Sequence, residues 1–369
     1  MSTASRYLAI AAELRKDILS GKYADTKRFP SEEALARRFD ASRPTVERAL
    51  RELKREGLLE SRSGSGSFLT MLARNAAGAL GIIAPDYRKI DFFTGLCDSI
   101  LLAGRAAGYD VFLGDVSAPD ASDRARGAVD LARAYADRRA AGVFLEPVDL
   151  VDGSTEATQE VLRILTAAGI PVVLLDRDYL PPPTRSDYDL IGIDNFAAGY
   201  RVARHLLDCG ARRICFLTQP NYAATIQARI HGVAQAVIDA GRPWRKASII
   251  ETDPSDLVCF RRLMKGPSAP DAFVCRNDPL AASLLQTLAA LRIPVPRKVR
   301  LAGFDDGRIA RYLNPPLTTI RQPVKALAET AVASLLQRIR TPGLRPRAIL
   351  LDAPLVIRAS TANLNGPMA

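Results

Sequence analysis

The sequence predicts an α/β chain in two parts: a small three-helix unit closed by a β-hairpin, then a two-lobed body of doubly wound parallel α/β units. Three observations carry that expectation. Up to Arg55 apolar residues recur at helical spacing, and Leu58 to Thr70 then reads strand, glycine-serine turn, strand. From Ala79 onward apolar runs of strand length alternate with amphipathic stretches of helix length, as in right-handed βαβ units whose parallel strands are buried on both faces. The 369 residues exceed one ordinary domain and suffice for a small domain plus a large one.

Composition narrows the class. Hydrophobic residues at 48% and charged ones at 25% are ordinary for a globular chain, which excludes a disordered or fibrous one. No apolar run reaches the roughly 18 to 20 residues that span a bilayer, and Met1 to Ala12 lacks the basic-then-apolar layout of a signal peptide. A cytoplasmic location without a membrane partner is therefore expected. The 5 cysteines form no C-x-x-C pair and the only histidines are His205 and His231, so neither a disulfide framework nor a metal site is expected, and the thiols read as buried small hydrophobes. Of the net charge of +11, residues 1–74 carry +5, with 15 Lys and Arg against 10 Asp and Glu. The amino-terminal fifth is the basic end.

Each amino-terminal element follows from its residues. In YLAIAAELRKDILSGKY, Ala11, Leu14 and Ile18 recur at helical spacing and Gly21 stands where a helix would stop. In FPSEEALARRFD, Ser31 is placed to cap a short second helix. Glu32 and Glu33 occupy its first turn, where the helix dipole favours anions, and Leu35 and Phe39 face inward. After DAS, Val46, Ala49, Leu50 and Leu53 fall at i, i+3, i+4 and i+7 of a third helix with Pro44 in its first turn. That leaves Thr45, Arg48, Arg51, Lys54 and Arg55 pointing away from the core. Two helices joined by a short turn, the second with a basic outer face, form a helix-turn-helix pattern; Gly57, LLES, RSGSG and SFLT append a hairpin and make it a winged helix. Small residues at the wing tip permit close backbone approach to DNA, and Arg62 places one cation there. The same GSGS lacks the Lys-Ser/Thr of a phosphate loop and does not sit between a strand and a helix. The plainer reading of Arg48 and Arg51 is that they are solvated surface charges.

In the body, ALGIIAP, DVFLGD, AGVFLEP, PVVLLDRD, LIGID, RRICFLT, DAFVCRND and VRLAGFDD read as strands, enough for two doubly wound lobes. Ligands of such sheets sit outside the carboxyl ends of the strands. Those ends hold Asp86, Tyr87 and Arg88; Glu146; Asp176 and Arg177; Gln219, Asn221 and Tyr222; Asn277; and Asp305 and Asp306. Carboxylate, amide and guanidinium groups with an aromatic face suit a neutral polyol. Competing readings remain open: Asp278 as the N-cap of the helix PLAASLLQTLAAL, Asp176 and Arg177 as a local ion pair, and Arg229, on spacing alone, as a surface charge. Arg88 and Lys89 in PDYRKIDFF would suit an acidic or phosphorylated sugar.

Tyr7 to Thr70 resembles the GntR-family winged helix through Pro30-Ser31-Glu32, Ser42-Arg43, Thr45-Val46, Ala49-Leu50, Leu53, Gly64, Gly66 and Phe68. The resemblance implies that Ser31, Ser42, Arg43, Pro44, Thr45 and Arg48, with the wing residues Arg62, Ser63, Gly64 and Ser65, meet double-stranded operator DNA. Glu33 and Glu47 stand where many relatives have Arg, so either the target sequence differs or Arg48 takes over. Ala79 to Ser360 resembles the effector-binding domain of LacI/GalR repressors, which has the periplasmic-binding-protein-like fold. The carrying residues are IDNFAAGYRVARHLLDCGARRICFL, Arg229 to Gly232, CRNDPLAASLLQTL, GFDD, PPLTTIRQP and LVIRAST. This likeness implies that Asp176, Arg229, Asn277, Asp305 and Gln322 line an effector cleft, with Tyr222 and the Tyr87 to Phe93 segment, Phe92 included, closing around it. A GntR-type head on such a body resembles the arabinose-repressor subgroup.

The organisation expected is a DNA-binding domain over 1–70, a linker over 71–78 and an effector domain over 79–361. Lobe 1 takes 79–193 and 322–350, and lobe 2 takes 194–319 and 351–361, with crossings near Ile193, Thr319 and Leu351. The function expected is a transcriptional regulator, a repressor, acting as a homodimer under a small carbohydrate effector, with no cofactor and no catalytic residues. The alternative is an enzyme acting on a sugar or nucleotide in the interlobe cleft, against which stand the missing G-x-S-x-G, H-E-x-x-H and Walker patterns. Asp305 and Asp306 as paired glycosidase carboxylates are disfavoured because adjacent strand residues point apart. A transport binding protein of the same fold would need a signal peptide.

Overall fold

The computed structural model describes residues 3–19, 23, 28–62, 66–70, 79–85, 91–114, 116, 120–148 and 154–362. The basic end forms helices α1 (Thr3–Leu19), α2 (Glu32–Arg38) and α3 (Arg43–Arg55) and the antiparallel hairpin β1 (Leu59–Arg62) and β2 (Gly66–Leu69). Ser31 caps α2 by accepting from the Ala34 amide at 3.2 Å. Gly57 ends α3 in the left-handed region, at φ 75°, where a side chain would strain the backbone. Ala11, Leu14, Ile18, Leu35, Val46, Ala49, Leu50 and Leu53 share one core with Phe29 and Leu69. In the hairpin register Arg62 faces Gly66.

The body contains two six-stranded sheets. In the first, β3 (Leu80–Ile83), β4 (Val111–Leu113), β5 (Gly142–Leu145), β6 (Val172–Leu175), β7 (Asp189–Ile193) and β13 (Ala348–Leu351) are all parallel, in the order β13-β7-β6-β5-β3-β4. In the second, β8 (Ile214–Thr218), β9 (Ile249–Glu251), β10 (Ala272–Cys275), β11 (Arg300–Asp305), β12 (Thr318–Arg321) and β14 (Leu355–Val356) run β14-β12-β11-β10-β8-β9, with β14 alone antiparallel. The chain passes between the sheets after β7, after β12 and after β13. The passing segments are tied together: the Asp194 amide donates to the Leu351 carbonyl at 3.2 Å and the Arg321 amide to that of Pro354 at 2.8 Å. The first lobe also carries α4 (Asp91–Ala106), α5 (Ala121–Asp137), α6 (Ser154–Ala167) and α12 (Val324–Arg340), and the second α7 (Asn195–Asp208), α8 (Ala224–Asp239), α9 (Leu257–Leu263), α10 (Asp278–Ala290) and α11 (Arg308–Tyr312). Strands β3, β5, β6 and β10 are buried at every residue, as parallel strands covered on both faces must be. Of the five thiols only Cys97 and Cys275 are buried; Cys209, Cys215 and Cys259 are half-buried, which corrects the expectation for those three.

One helix crossing fixes the site described below. Helices α7 and α8 touch backbone to backbone, because a Cβ on Gly232 would lie 2.0 Å from the Phe196 carbonyl oxygen and one on Gly199 would lie 2.2 Å from that of Arg229. Hydrogen at these two positions lets Arg229 come within reach of Asn195. Gly232→Ala should therefore force the helices apart and cost about 1–3 kcal/mol of stability, the usual penalty of overpacking. Gly343→Ala, where the added methyl meets nothing within 4 Å, is the control. Urea denaturation of both variants checks this, and equal stabilities would refute the close-packing account.

Candidate functional site

Two faces carry the sequence-predicted residues. On the first, Ser42, Arg43, Pro44, Glu47 and Arg48 are exposed along the start of α3. Thr45 is not: it is 6% exposed, and its hydroxyl is hydrogen-bonded to that of Ser42 at 2.8 Å. The expectation that Thr45 points outward is corrected, because a neighbouring hydroxyl satisfies its polar atom and allows it to pack inward. The two acidic residues of this face are paired within the head. Glu47 accepts from Arg51 at 2.7 Å, Glu33 lies 3.5 Å from Arg43, and the Arg48 guanidinium stacks 5.1 Å over the Tyr7 ring. Ser31 is committed to its cap. Ser63, Gly64 and Ser65, the side chain of Arg62 and the segment 71–78 lie outside the described residues.

The second face is a cavity open to solvent between the lobes, at the carboxyl ends of their strands. Asp176 and Arg177 follow β6, while Phe92 and Phe93 come from the first turn of α4. Across from them stand Arg229 of α8, Arg276 and Asn277 after β10, Asp305 at the end of β11 and Gln322 after β12. The polar groups are tied to one another. The buried Arg229 donates through Nε to Asn195 Oδ1 at 2.8 Å and through Nη1 to the Arg276 carbonyl at 2.7 Å; its guanidinium lies 4.3 Å from the Phe304 ring centre and its Nη2 3.9 Å from Asp305. Gln322 donates to the same Asp305 oxygen at 2.8 Å, and its own Oε1 is buried without a partner. Asp176 and Asp305 adopt φ of 69° and 103°, a conformation side chains resist, so the surrounding contacts hold these carboxylates where they are.

The competing sequence readings resolve as follows. Arg229 is only 4% exposed, so spacing alone misplaces it on the surface. The Asp176–Arg177 ion pair exists, at 3.2 Å, and Arg177 also donates to the Pro147 carbonyl at 2.7 Å and faces Glu146 at 3.5 Å. The N-cap of α10 is Asn277, whose Oδ1 accepts from the Leu280 amide at 3.0 Å, and not Asp278. Asp278 is instead fully buried, accepting from the Thr319 hydroxyl at 2.7 Å and the Gly307 amide at 2.9 Å. Tyr222 does not line this cavity but a neighbouring one. Asp305 and Asp306 do point apart: Asp306 turns to Arg321 at 2.6 Å and Arg358 at 2.5 Å. Asp86, Tyr87 and Arg88 lie outside the described residues. Sequence reasoning passed over Asn195 and Arg276; the nearest signal was the IDN at the first crossing and the CRN after β10.

Chemically, the cavity offers carboxylate and amide acceptors, guanidinium donors and aromatic faces, a set that binds hydroxyls. Burial, with the neighbouring Asp176 charge, pushes the Asp305 carboxyl up, and Arg229 and Gln322 draw it back. Among the described residues no cluster of His, Cys, Asp and Glu could hold a metal ion, and no helix is long and apolar enough to cross a membrane.

Residues 6–69 match the bacterial regulatory proteins, gntR family, and residues 203–361 match the periplasmic binding protein-like domain. The chain is 26% identical to the arabinose metabolism transcriptional repressor of Geobacillus stearothermophilus over 98% of its own length and 99% of that protein's. It is 28% identical to the transcriptional repressor PurR of Glaesserella parasuis, covering 57% of this chain but only 64% of that repressor. A LacI family transcriptional regulator from Enterococcus faecium with bound ribose superimposes with a TM-score of 0.63 at 23% identity, over 78% of this chain and 100% of that one, a likeness of fold.

Asp278 yields a pH dependence. Burial first, then the charge of Asp305, raises its carboxyl pKa well above the ordinary 3.8. The folded chain thus holds this proton at pH values where the unfolded chain has released it, and the stability it contributes is lost as pH rises from about 4 through the raised value. Asp278→Asn, which can still bond Gly307 and Thr319, should flatten that decline. Unfolding free energies of both proteins across pH 4 to 7 decide the point; parallel curves would exclude Asp278 as the source.

Proposed function

We propose that this chain, with its gntR-type head on a periplasmic binding protein-like body, is a repressor of its operator whose DNA affinity is set by a small carbohydrate bound between the lobes. The observation that carries the effector class is the interlobe polar set: Asp305, Asp176 and the unpartnered Gln322 Oε1 are acceptors that call for hydroxyl donors, beside the rings of Phe92 and Phe93. Arg229 and Asn277 complete the proposed effector set. The name of the arabinose repressor, which aligns over almost its whole length, supports a sugar. The proposed DNA contacts are Ser42, Arg43, Pro44 and Arg48 at the start of α3, placed in the major groove, and the wing after Arg62. A homodimer on a palindromic site fits this head, and the exposed Leu102 of α4 and Phe112 of β4 are apolar surface that a second copy would cover. The absence of a catalytic pattern and the repressor relatives both stand against an enzyme in the cleft.

Fluorescence anisotropy on DNA from upstream of the gene, with a sugar panel added, tests the proposal. Arg48→Ala should weaken operator binding by about 1–3 kcal/mol and leave sugar binding intact. Asp305→Asn should keep operator affinity while weakening the sugar by about 1.5–3 kcal/mol, the worth of a hydrogen bond to a charged group. Loss of operator binding in Asp305→Asn, or no specific binding at any salt concentration, would sink the division of roles.

A further inference from the structure

The cavity that holds Tyr222 has no part in the function so far. It is open to solvent, adjoins the first cavity and shares Arg177 and Ala223 with it as common wall. Both lobes build it: Tyr179 and Pro181 come from the loop after β6, and Tyr222 and Gln227 from the second lobe. We propose that it is a second subsite of the effector cleft, and that the effector is a neutral two-ring carbohydrate, a disaccharide or glycoside, with one ring at Asp305 and Gln322 and the other between Tyr179 and Tyr222. The inference rests on the carbohydrate reading above and extends it.

Three features select that ligand. Two tyrosines from opposite lobes line it, and a tyrosine carries both a hydroxyl and an aromatic ring of the kind on which the apolar side of a sugar ring lies. The charged groups of the described lining are already held by protein partners: Arg177 by Asp176, Glu146 and the Pro147 carbonyl, and Asp178 by the Leu180 amide and by the amide and hydroxyl of Ser186. A phosphate would therefore find no uncommitted cation there, whereas a neutral ring needs none. The third feature lies at the junction. The first turn of α8 separates the cavities, with Thr225 and Ile226 lining the first and Ala224 and Gln227 the second, and its N-cap Ala223 supplies no side-chain hydrogen bond. The Ile226 and Gln227 amides already donate to the Ala223 carbonyl, at 3.0 and 3.1 Å, which leaves the Ala224 and Thr225 amides, one from each cavity's lining, as donors to a glycosidic oxygen or an adjacent hydroxyl placed there. Independently, the buried Gln322 Oε1 without a partner marks the inner end of the same cleft as a place for a ligand hydroxyl.

Isothermal titration of the full chain with cellobiose, maltose, lactose, sucrose and melibiose, against glucose, galactose, fructose, arabinose, ribose and glucose 6-phosphate, tests this. At least one disaccharide should bind ten-fold or more tightly than either of its component sugars. Tyr222→Ala and, separately, Gln227→Trp, which fills the second cavity from an exposed helix position, should each weaken that disaccharide at least ten-fold and leave the weak monosaccharide binding unchanged. A monosaccharide or the sugar phosphate binding as tightly as every disaccharide, or disaccharide affinity unmoved in both variants, overturns the second subsite while the carbohydrate reading stands. No binding by any sugar of either size overturns the carbohydrate reading and this inference with it.

Discussion

The buried guanidinium of Arg229 is the contact on which the cleft depends. Removing a cation from water is expensive, and the cost is offset only where hydrogen bonds and an opposite charge replace the solvent. Here Asn195, the Arg276 carbonyl, the Phe304 ring and Asp305 replace it together, and they come from α7, the end of β10 and β11. One side chain thereby fixes the relative positions of three elements whose ends form the second lobe's half of the cavity. The arrangement is possible only because Gly199 and Gly232 bring α7 and α8 into backbone contact. The glycine three residues after Arg229 lies on the same face of α8, toward α7, and is thus part of the same device.

The other half of the cavity belongs to the first lobe, so any ligand that touches both halves changes the balance between open and closed arrangements. Its effect on a distant DNA-binding surface is bounded by the difference in its affinity for those arrangements. Three passing segments connect the lobes, tied by the Asp194–Leu351 and Arg321–Pro354 hydrogen bonds, and Gln322 stands at one of them with its amide on Asp305. A ligand hydroxyl on Gln322 would therefore act directly at a passing segment. The Asp91 carboxylate, at the start of α4 in the first lobe, accepts from the Arg308 amide of the second at 3.1 Å, a contact between the lobes that needs no ligand.

What was legible in the sequence and what was not follows from the range of the forces involved. The winged helix was readable because its core repeats locally: Val46, Ala49, Leu50 and Leu53 need only helical geometry to meet. Seven of the eight strands read from sequence are interior and were readable because strands buried on both faces are nearly continuously apolar; the eighth, β4, is an edge strand with Phe112 exposed, read from VFL alone, while interior β12, with the polar Thr318, Thr319 and Arg321, was not read as a strand. The short edge strands β9, β13 and β14 are only partly buried and carry no such run, so their pairing is a tertiary fact. The same holds for single residues. Asn277 and Asp278 are equally good caps by type, and the choice is made by Thr319 and Gly307, which sit 41 and 29 residues away and claim Asp278. Arg229 looks solvent-facing on helical spacing because the partners that bury it lie 34 and 47 residues from it in sequence. Tyr222 follows a strand end as expected, but which of two adjoining cavities it serves depends on the path of the loop from Tyr179 to Pro182.

The acidic residues on the proposed DNA face are paired within the head. Glu47 with Arg51 and Glu33 with Arg43 are exposed pairs, and pairs of this kind contribute only about 0–1 kcal/mol in water. A phosphate, with its condensed counterions ready for release, competes well against such partners. The pairs therefore do little to lower affinity in general. What they do is hold two arginines in set positions with a carboxylate beside each; on the proposed DNA contact, such a carboxylate would reject a base edge that presents only acceptors and tolerate cytosine N4. Arg48, lying over Tyr7 rather than on a carboxylate, is held by a ring face that leaves its hydrogen-bonding edge available. The face thus combines one arginine steadied by stacking with two steadied by charge, and the difference between these two modes of support is where its sequence preference would arise.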